Sequence, residues 1–311
     1  MKKILCVLMS CLLFVMAGCS GHSKNLKFGA ADIGGVYYSF ASTFTQLADK
    51  EIDGYTFETK TTAGSVANLR LISDGYIDLA IVQADLLSDA YNATGTFADK
   101  KYQKGYKAVA SLYTECCQIV VRKDSGITGI DDLINKTVSV GASESGTEKN
   151  AEQILKMSGI TDELINKVNM DYTEAAEKLK AGEIDAFFCT AGTRTEVIGQ
   201  LSKECDIRLI SLDDKCIDKM LSAYSLCEKY TIPAGTYNGQ DSDVTTIGVK
   251  AVLIAKQSLS DDVIKNVTKT IYEHADDFKY ATSLDISFDI NTAADGVDIP
   301  FHSGAAAYYT E

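Results

Sequence analysis

The chain has 311 residues, 46% of them hydrophobic, enough for two lobes of ordinary domain size with a core each. Its formal charge of −13 disfavours nucleic acid and anionic membrane surfaces as partners, although local N–H groups in a pocket can still receive a small anion. Three histidines (His22, His274, His302), set far apart, spell out no metal cluster and no Cys–His pair, so neither a metal nor a cofactor is expected and an enzyme reading has little support.

Lys2 and Lys3 precede an apolar run from Ile4 to Val15, too short to span a bilayer but suited to a secretory signal. Met16-Ala17-Gly18-Cys19 resembles the lipobox of bacterial lipoproteins, with Met16 where Leu is usual. Residues 1–18 are therefore expected to be removed, leaving Cys19 lipidated on a polar tether over 19–25. The mature chain would carry 28 basic against 43 acidic residues and sit outside the cytoplasm, held to the membrane by lipid alone. Of nine cysteines, six would remain. Cys189 reads as a buried thiol, Cys205, Cys216 and Cys227 as the better disulfide candidates, and the adjacent Cys116-Cys117 is unassigned.

Leu26 to Gly29 reads as a first strand. The Ala30 to Tyr38 loop, with Gly34-Gly35 permitting close ligand approach and Tyr37 or Tyr38 able to close over it, leads into a helix bearing Phe40, Phe44 and Leu47. A second strand from Tyr55 to Thr61 meets Gly64-Ser65, with Ser65 expected to cap a helix whose stripe is Val66, Leu69 and Ile72. Ile77 to Val82 is a nearly continuous apolar strand, as in a buried parallel sheet, and runs into Gln83-Ala84-Asp85. Ala108 to Lys123, two apolar runs broken by Tyr113-Thr114-Glu115, reads as the crossing between lobes.

After a short helix from Asp131 to Asn135, the strand Thr137 to Val140 opens onto Gly141-Ala142-Ser143-Glu144-Ser145-Gly146-Thr147 and a helix from Glu148 to Met157. Small residues at a helix start let an anion approach N–H groups that lack intrahelical partners, at a terminus carrying about half a positive charge. The nucleotide phosphate loop is excluded, because Thr147-Glu148 stands where Lys-Ser/Thr is required, and the nucleophile elbow fails because Ser145 replaces its second Gly. Plain capping by Ser145 or Thr147 is the competing reading.

A helix from Thr173 to Ala181 and the strand Ile184 to Phe188 follow, ending in the turn Thr190 to Arg194. Asp74-Gly75-Tyr76-Ile77-Asp78 and Ala181-Gly182-Glu183-Ile184-Asp185 echo each other, as two lobes of one architecture would, or two βαβ units of one sheet. Thr245 to Ile254 would return the chain to the first lobe, Ser260 opens a further helix, and Ile299 to Tyr309 is expected to dock there.

Taken together, Gly34 to Tyr38, Gly64 to Ile72, Gln83 to Asp85, Gly141 to Thr147, Ile232 to Tyr237 and the Ile299 to Tyr309 ending resemble the TAXI family, solute receptors of tripartite ATP-independent periplasmic (TRAP) transporters. The resemblance implies a two-lobe type II periplasmic-binding-protein-like α/β fold with a hinged interlobe cleft, lobe 1 over 26–114 and 240–311 and lobe 2 over 115–239. It implies capture of a small organic acid or amino acid, glutamate-like or a dicarboxylate, for an integral membrane TRAP partner. Glu144, where a small residue or Pro is common, and Thr193-Arg194, in place of Tyr-Pro, depart from the pattern. The cradle would comprise Gly34, Gly35 and Ser143, Ser145, Gly146 and Thr147, with Tyr37, Tyr38, Gly64, Ser65, Asn68, Gln83 and Tyr113 as further contacts. Asp85, Glu115 or Glu144 could hold an ammonium and Arg194 a second carboxylate. Asn68 as a helix-face residue, Arg70 as a lobe-stabilising ion pair, and Asp78 and Asp185 as turn or cap partners are the structural alternatives. A lipid-anchored sensor with the same fold is the other functional reading.

Overall fold

The computed structural model describes residues 24–99, 102, 104–284 and 288–310. The signal segment, Cys19 and the tether up to residue 23 lie outside these residues, and Lys24 and Asn25 already belong to the first strand. In chain order the main elements are β1 (Lys24–Gly29), α1 (Val36–Glu51), β2 (Tyr55–Lys60), α2 (Ser65–Ser73), β3 (Leu79–Gln83), α3 (Ala84–Asn92), β4 (Tyr106–Arg122), β5 (Thr137–Ser139), α4 (Gly146–Met157) and β6 (Asn166–Val168). There follow α5 (Tyr172–Ala181), β7 (Ala186–Ala191), α6 (Glu196–Glu204), β8 (Ile207–Leu209), α7 (Asp214–Ala223), β9 (Cys227–Ile232), β10 (Val244–Lys256), α8 (Asp261–Glu273), α9 (Ala275–Thr282) and α10 (Ser303–Tyr309).

Two parallel groups of strands, β2-β1-β3 and β7-β5-β6, flank the long antiparallel pair β10-β4, giving the order β2-β1-β3-β10-β4-β7-β5-β6. The pair runs through both lobes. Near its N-terminal end β4 pairs with β10 and, through Ala108, bridges to Phe301 of the C-terminal segment, while Cys116 to Val121 pair with β7. In return, Ala251 to Ala255 of β10 pair with β3, and Val244 to Val249 with β9. The stretch Tyr113-Thr114-Glu115 does not interrupt β4; it lies inside one continuous strand where the lobes meet.

The sequence echo has a physical counterpart. Asp78 Oδ2 accepts from the Lys27 N–H (2.9 Å), and Asp185 Oδ2 accepts from the Thr137 N–H (2.8 Å), so each aspartate ties the start of its strand to the neighbouring one. Both are structural ties, and both follow a glycine with positive φ that ends a helix. Helices cover the sheet on both faces. On one side Phe40 of α1 stacks on Phe278 of α9 (centroids 4.3 Å apart), within a core that continues across the hinge to Phe187 and Ile198. The chain end docks as expected: Tyr309 donates to the Val109 carbonyl (2.6 Å), and the buried His302 caps α10.

Ser65 does not cap α2. Gly64, at φ 117°, takes the cap position, and the Ser65 hydroxyl instead accepts from the Gln83 N–H (3.1 Å), joining α2 to the end of β3. All six cysteines among the described residues are free thiols, so the expected disulfides of Cys205, Cys216 and Cys227 are not formed. Five of the six are buried in strands or helices that pack on the sheet. Burial pushes the Cys116 and Cys117 thiols up to about 12, which makes them poor nucleophiles.

Candidate ligand-binding cleft

The ends of β1, β3, β5 and β7 face one another across the hinge, where an open α/β sheet offers its ligand sites. Between them lies a narrow cavity whose interior offers about 40 Å³ to the centres of water-sized molecules, or about 470 Å³ when all open space out to its mouth is counted. Lobe 1 contributes the Ala31 to Tyr37 loop, Ala63 to Ser65 and Gln83; lobe 2 contributes Ala142, Ser145 to Thr147, Asp171, Tyr172, Thr190 and Ala191. Glu115 lines the floor from β4. Gly35 and Gly146, on loops more than a hundred residues apart, thus look into the same space.

The cradle around α4 is built by capping. Ser145 is the N-cap, and its hydroxyl accepts from the Glu148 N–H (3.0 Å), leaving the Gly146 and Thr147 amides in a first turn without intrahelical partners. The Thr147 hydroxyl accepts from the Thr190 N–H (3.2 Å) and meets the Tyr172 hydroxyl, which itself donates to the Thr190 carbonyl (2.9 Å). That leaves the Thr147 proton for the Tyr172 oxygen, so α4, α5 and β7 are locked at one corner. Gly146 is small for a reason: a Cβ there would lie 2.3 Å from Gln83 Oε1, so glycine lets lobe 1 close onto α4.

Glu115 is 3% exposed. Tyr37 donates to its Oε2 at 2.8 Å, and the Gln83 amide also hydrogen-bonds it. Burial pushes its carboxyl up to about 8, more than these hydrogen bonds pull it down, and the Asp85 charge adds to the rise. Asp32 is raised for the same first reason and by the nearby Asp171. Asp32 Oδ2 and Gln83 Oε1 are buried acceptors without a donor. No Lys, Arg or His is among the described residues that line the cavity.

Of the residues singled out in the sequence, Gly35, Tyr37, Gly64, Ser65, Gln83, Glu115, Ser145, Gly146 and Thr147 line the cavity. The others lie elsewhere. Gly34 borders an outer groove beside α6, and Tyr38 packs half-buried against the core. Asn68 is fully buried. Its amide donates to the carbonyls of Ala30 (2.7 Å) and Ile81 (2.9 Å), and its oxygen accepts from Thr62 (2.7 Å), so its polar atoms are spent on tying loops together. Asp85 is buried at the start of α3, where burial pushes its carboxyl up to about 6. Tyr113 borders a groove beyond the hinge strands, with its buried hydroxyl near Glu115 and Tyr172. Ser143 is exposed, and Arg194, at φ 70°, opens onto outer grooves.

Glu144 faces away from the cavity and spans the lobes. Its carboxylate takes a two-pronged contact from Arg70 (Nε 3.2 Å, Nη2 2.7 Å), and its carbonyl accepts from the Ala67 N–H (3.0 Å). A left-handed φ of 65° at Glu144 turns both groups toward α2. Arg70 is thus in an ion pair, as the structural alternative has it, but one that joins the two lobes rather than stabilising one. Sequence reading missed Asp171 and Tyr172 as site residues: Asp171 caps α5, and nothing in its spacing separates a cap from a cleft wall.

A family model described as the NMT1-like family matches residues 28–311. Among solved structures, the chain is similar to the periplasmic binding protein BugD (TM-score 0.59, 10% identity, covering 92% of this chain and 93% of that one). It is also similar to PhnD1 of Prochlorococcus marinus MIT 9301, solved with methylphosphonate (TM-score 0.55, 13% identity, 80% and 84% covered). A third likeness is to a putative L-cystine ABC transporter protein of Listeria monocytogenes (TM-score 0.53, 13% identity, 84% and 94% covered). At these identities the likeness establishes the fold, a two-lobe mixed α/β architecture. The chain belongs to the NMT1-like family and has the fold of periplasmic binding proteins.

Proposed function

We propose that this protein is an extracytoplasmic solute-binding lipoprotein that captures a small amino acid or organic acid and delivers it to the membrane component of a TRAP transporter. Lobe 1 would comprise 26–114 and 240–311 and lobe 2 115–239, closing about β4 and the segment that enters β10. The observation that carries the reading is the cavity itself: both lobes wall it, and polar groups converge on it without partners of their own.

Its lining also favours one ligand class. Asp32, Glu115 and Asp171 supply carboxyl groups and no basic side chain balances them among the described lining residues, so a dicarboxylate meets more repulsion than a zwitterion. An amino acid would place its carboxylate on the Gly146 and Thr147 amides and its ammonium toward Glu115. Micromolar binding requires about 8 kcal/mol, within reach of several hydrogen bonds in a closed cleft.

The test is a thermal-shift panel of amino acids, dicarboxylates and keto acids on protein refolded free of carried-over ligand. Stabilisation by amino acids above the other classes supports the reading. No stabilisation by any class sinks it, and turnover of a bound compound by mass spectrometry would replace it with an enzyme. A sensor differs from a transport receptor only in its membrane partner, and capture of a many-span protein from solubilised membranes separates the two.

A further inference from the structure

Glu115 occupies an unusual position for an acid. It enters from the hinge strand β4, and every element around it presents a titratable or polar group: Tyr37 from α1, Gln83 from β3, Asp85 from α3, Tyr113 and Cys116 from β4, Tyr172 from α5, and Cys189 from β7. Asp32 and Asp171 stand at the cavity wall. None of these groups is a cation, and burial holds each of the tyrosines and cysteines protonated. A carboxylate here would lack a counter-charge, which is costly at a buried position. Burial without a neighbouring cation therefore favours the neutral carboxyl, consistent with the upward push to about 8.

We propose that the group entering the deep end of the cleft is an organic cation bearing N–H donors, and that its entry expels the proton of Glu115 to solvent. The O–H bond of the carboxyl breaks, the proton leaves to water, and the carboxylate remains as counter-ion to the incoming ammonium. One positive charge enters as another departs, so the buried charge of the site is conserved. Asp32 Oδ2 and Gln83 Oε1, acceptors still lacking donors, would receive the remaining N–H groups. Capture thereby becomes pH-gated: below the Glu115 midpoint, affinity for the cation falls about tenfold per pH unit. The inference rests on the solute-binding reading but can be tested without knowing the solute.

A neutral carboxyl could instead donate a hydrogen bond to a ligand carboxylate, as protonated acids do in some oxyanion sites. The two cases move the proton in opposite directions. Infrared spectroscopy of the full mature protein between pH 6 and 10 reads the C=O stretch of protonated carboxyls, to which ordinary surface carboxylates no longer contribute. Methylammonium chloride serves as the bare cation and sodium acetate as the bare anion, at constant ionic strength. The expected result is a band with a midpoint near pH 8, absent in Glu115→Gln and lowered by methylammonium by about one pH unit, a tenfold change in proton affinity.

A midpoint unmoved by methylammonium, or raised by acetate, overturns the proposal, as does the absence of any such band. The wild-type titration decides the matter even if the variant folds poorly. A midpoint that moves with methylammonium while the solute panel finds no binder would sink the transport reading and leave the cation site standing. Panel binding with an unmoved midpoint would do the reverse.

Discussion

Replacing Gly146 with alanine adds one methyl group where the lobes touch. Gly146 opens α4 without positive φ, so alanine suits the helix itself and should leave lobe 2 as stable or raise its stability by about 0.5 kcal/mol. The added Cβ would nevertheless stand 2.3 Å from Gln83 Oε1 and 2.5 Å from its Cδ. Gln83 is 2% exposed and hydrogen-bonded to Glu115, so it has little room to retreat while the cleft is shut. Overpacking of this kind costs about 1–3 kcal/mol, and here the cost falls on the closed state alone. The open population should rise about five- to 150-fold. Small-angle scattering, or the distance between spin labels placed on exposed positions of the two lobes, measures that population, and chemical denaturation measures stability. Adding Gln83→Ala empties the space the methyl group needs and should restore closure. An unchanged lobe separation in Gly146→Ala, or a loss of folding stability equal to the loss of closure, would refute the argument.

Arg70→Ala removes the two-pronged contact to Glu144, whose partners are each more than a third exposed, so screening limits its worth to about 0.5–1 kcal/mol. Interlobe distances should widen in the variant at low salt and converge with wild type at high salt. Asn68→Ala takes the amide donor from the Ile81 carbonyl and leaves the Ala30 carbonyl only the Thr62 hydroxyl, so it should cost about 1–3 kcal/mol in urea denaturation; a variant of wild-type stability would mean that Asn68 is not a structural tie. With burial holding the thiols protonated, a thiol reagent should modify, among the six cysteines of the described residues, at most the partly exposed Cys205 in the native state and all six after unfolding. For Glu115 the folded-state carboxyl lies above its unfolded value, so its contribution is complete below about pH 4.5 and is lost as pH rises toward about 8. Wild-type stability relative to Glu115→Gln should fall through that window by a few kcal/mol, on the order of 3–5. A difference flat with pH would mean that Glu115 is ionised throughout.

Much of the architecture was legible because the local rules that form elements are written locally. Apolar runs bounded by glycine gave the parallel strands, helical spacing of Phe40 and Phe44 gave α1, and the repeated Gly-x-Ile-Asp motif marked equivalent strand starts, whose aspartates prove to make the same backbone contact. Half of the cleft wall was legible for the same reason, since Gly35, Ser65, Gln83 and the Ser145 to Thr147 turn sit at strand ends that any α/β sheet turns toward its ligand side.

What a side chain faces once the lobes meet is set by distant partners, and no local pattern carries it. Asn68 and Ser65 share a helix, yet one is consumed by two loops and strand β3 and the other reaches the cavity. Glu144 and Ser145 are neighbours, but a left-handed φ sends Glu144 to Arg70 on the other lobe while Ser145 caps α4. The local patterning of this sequence determined that parallel strands and covering helices would alternate, and its composition that their charge would be negative. Only the tertiary structure decided which carboxyl groups lost their water, because desolvation depends on everything that closes around an atom rather than on its neighbours along the chain.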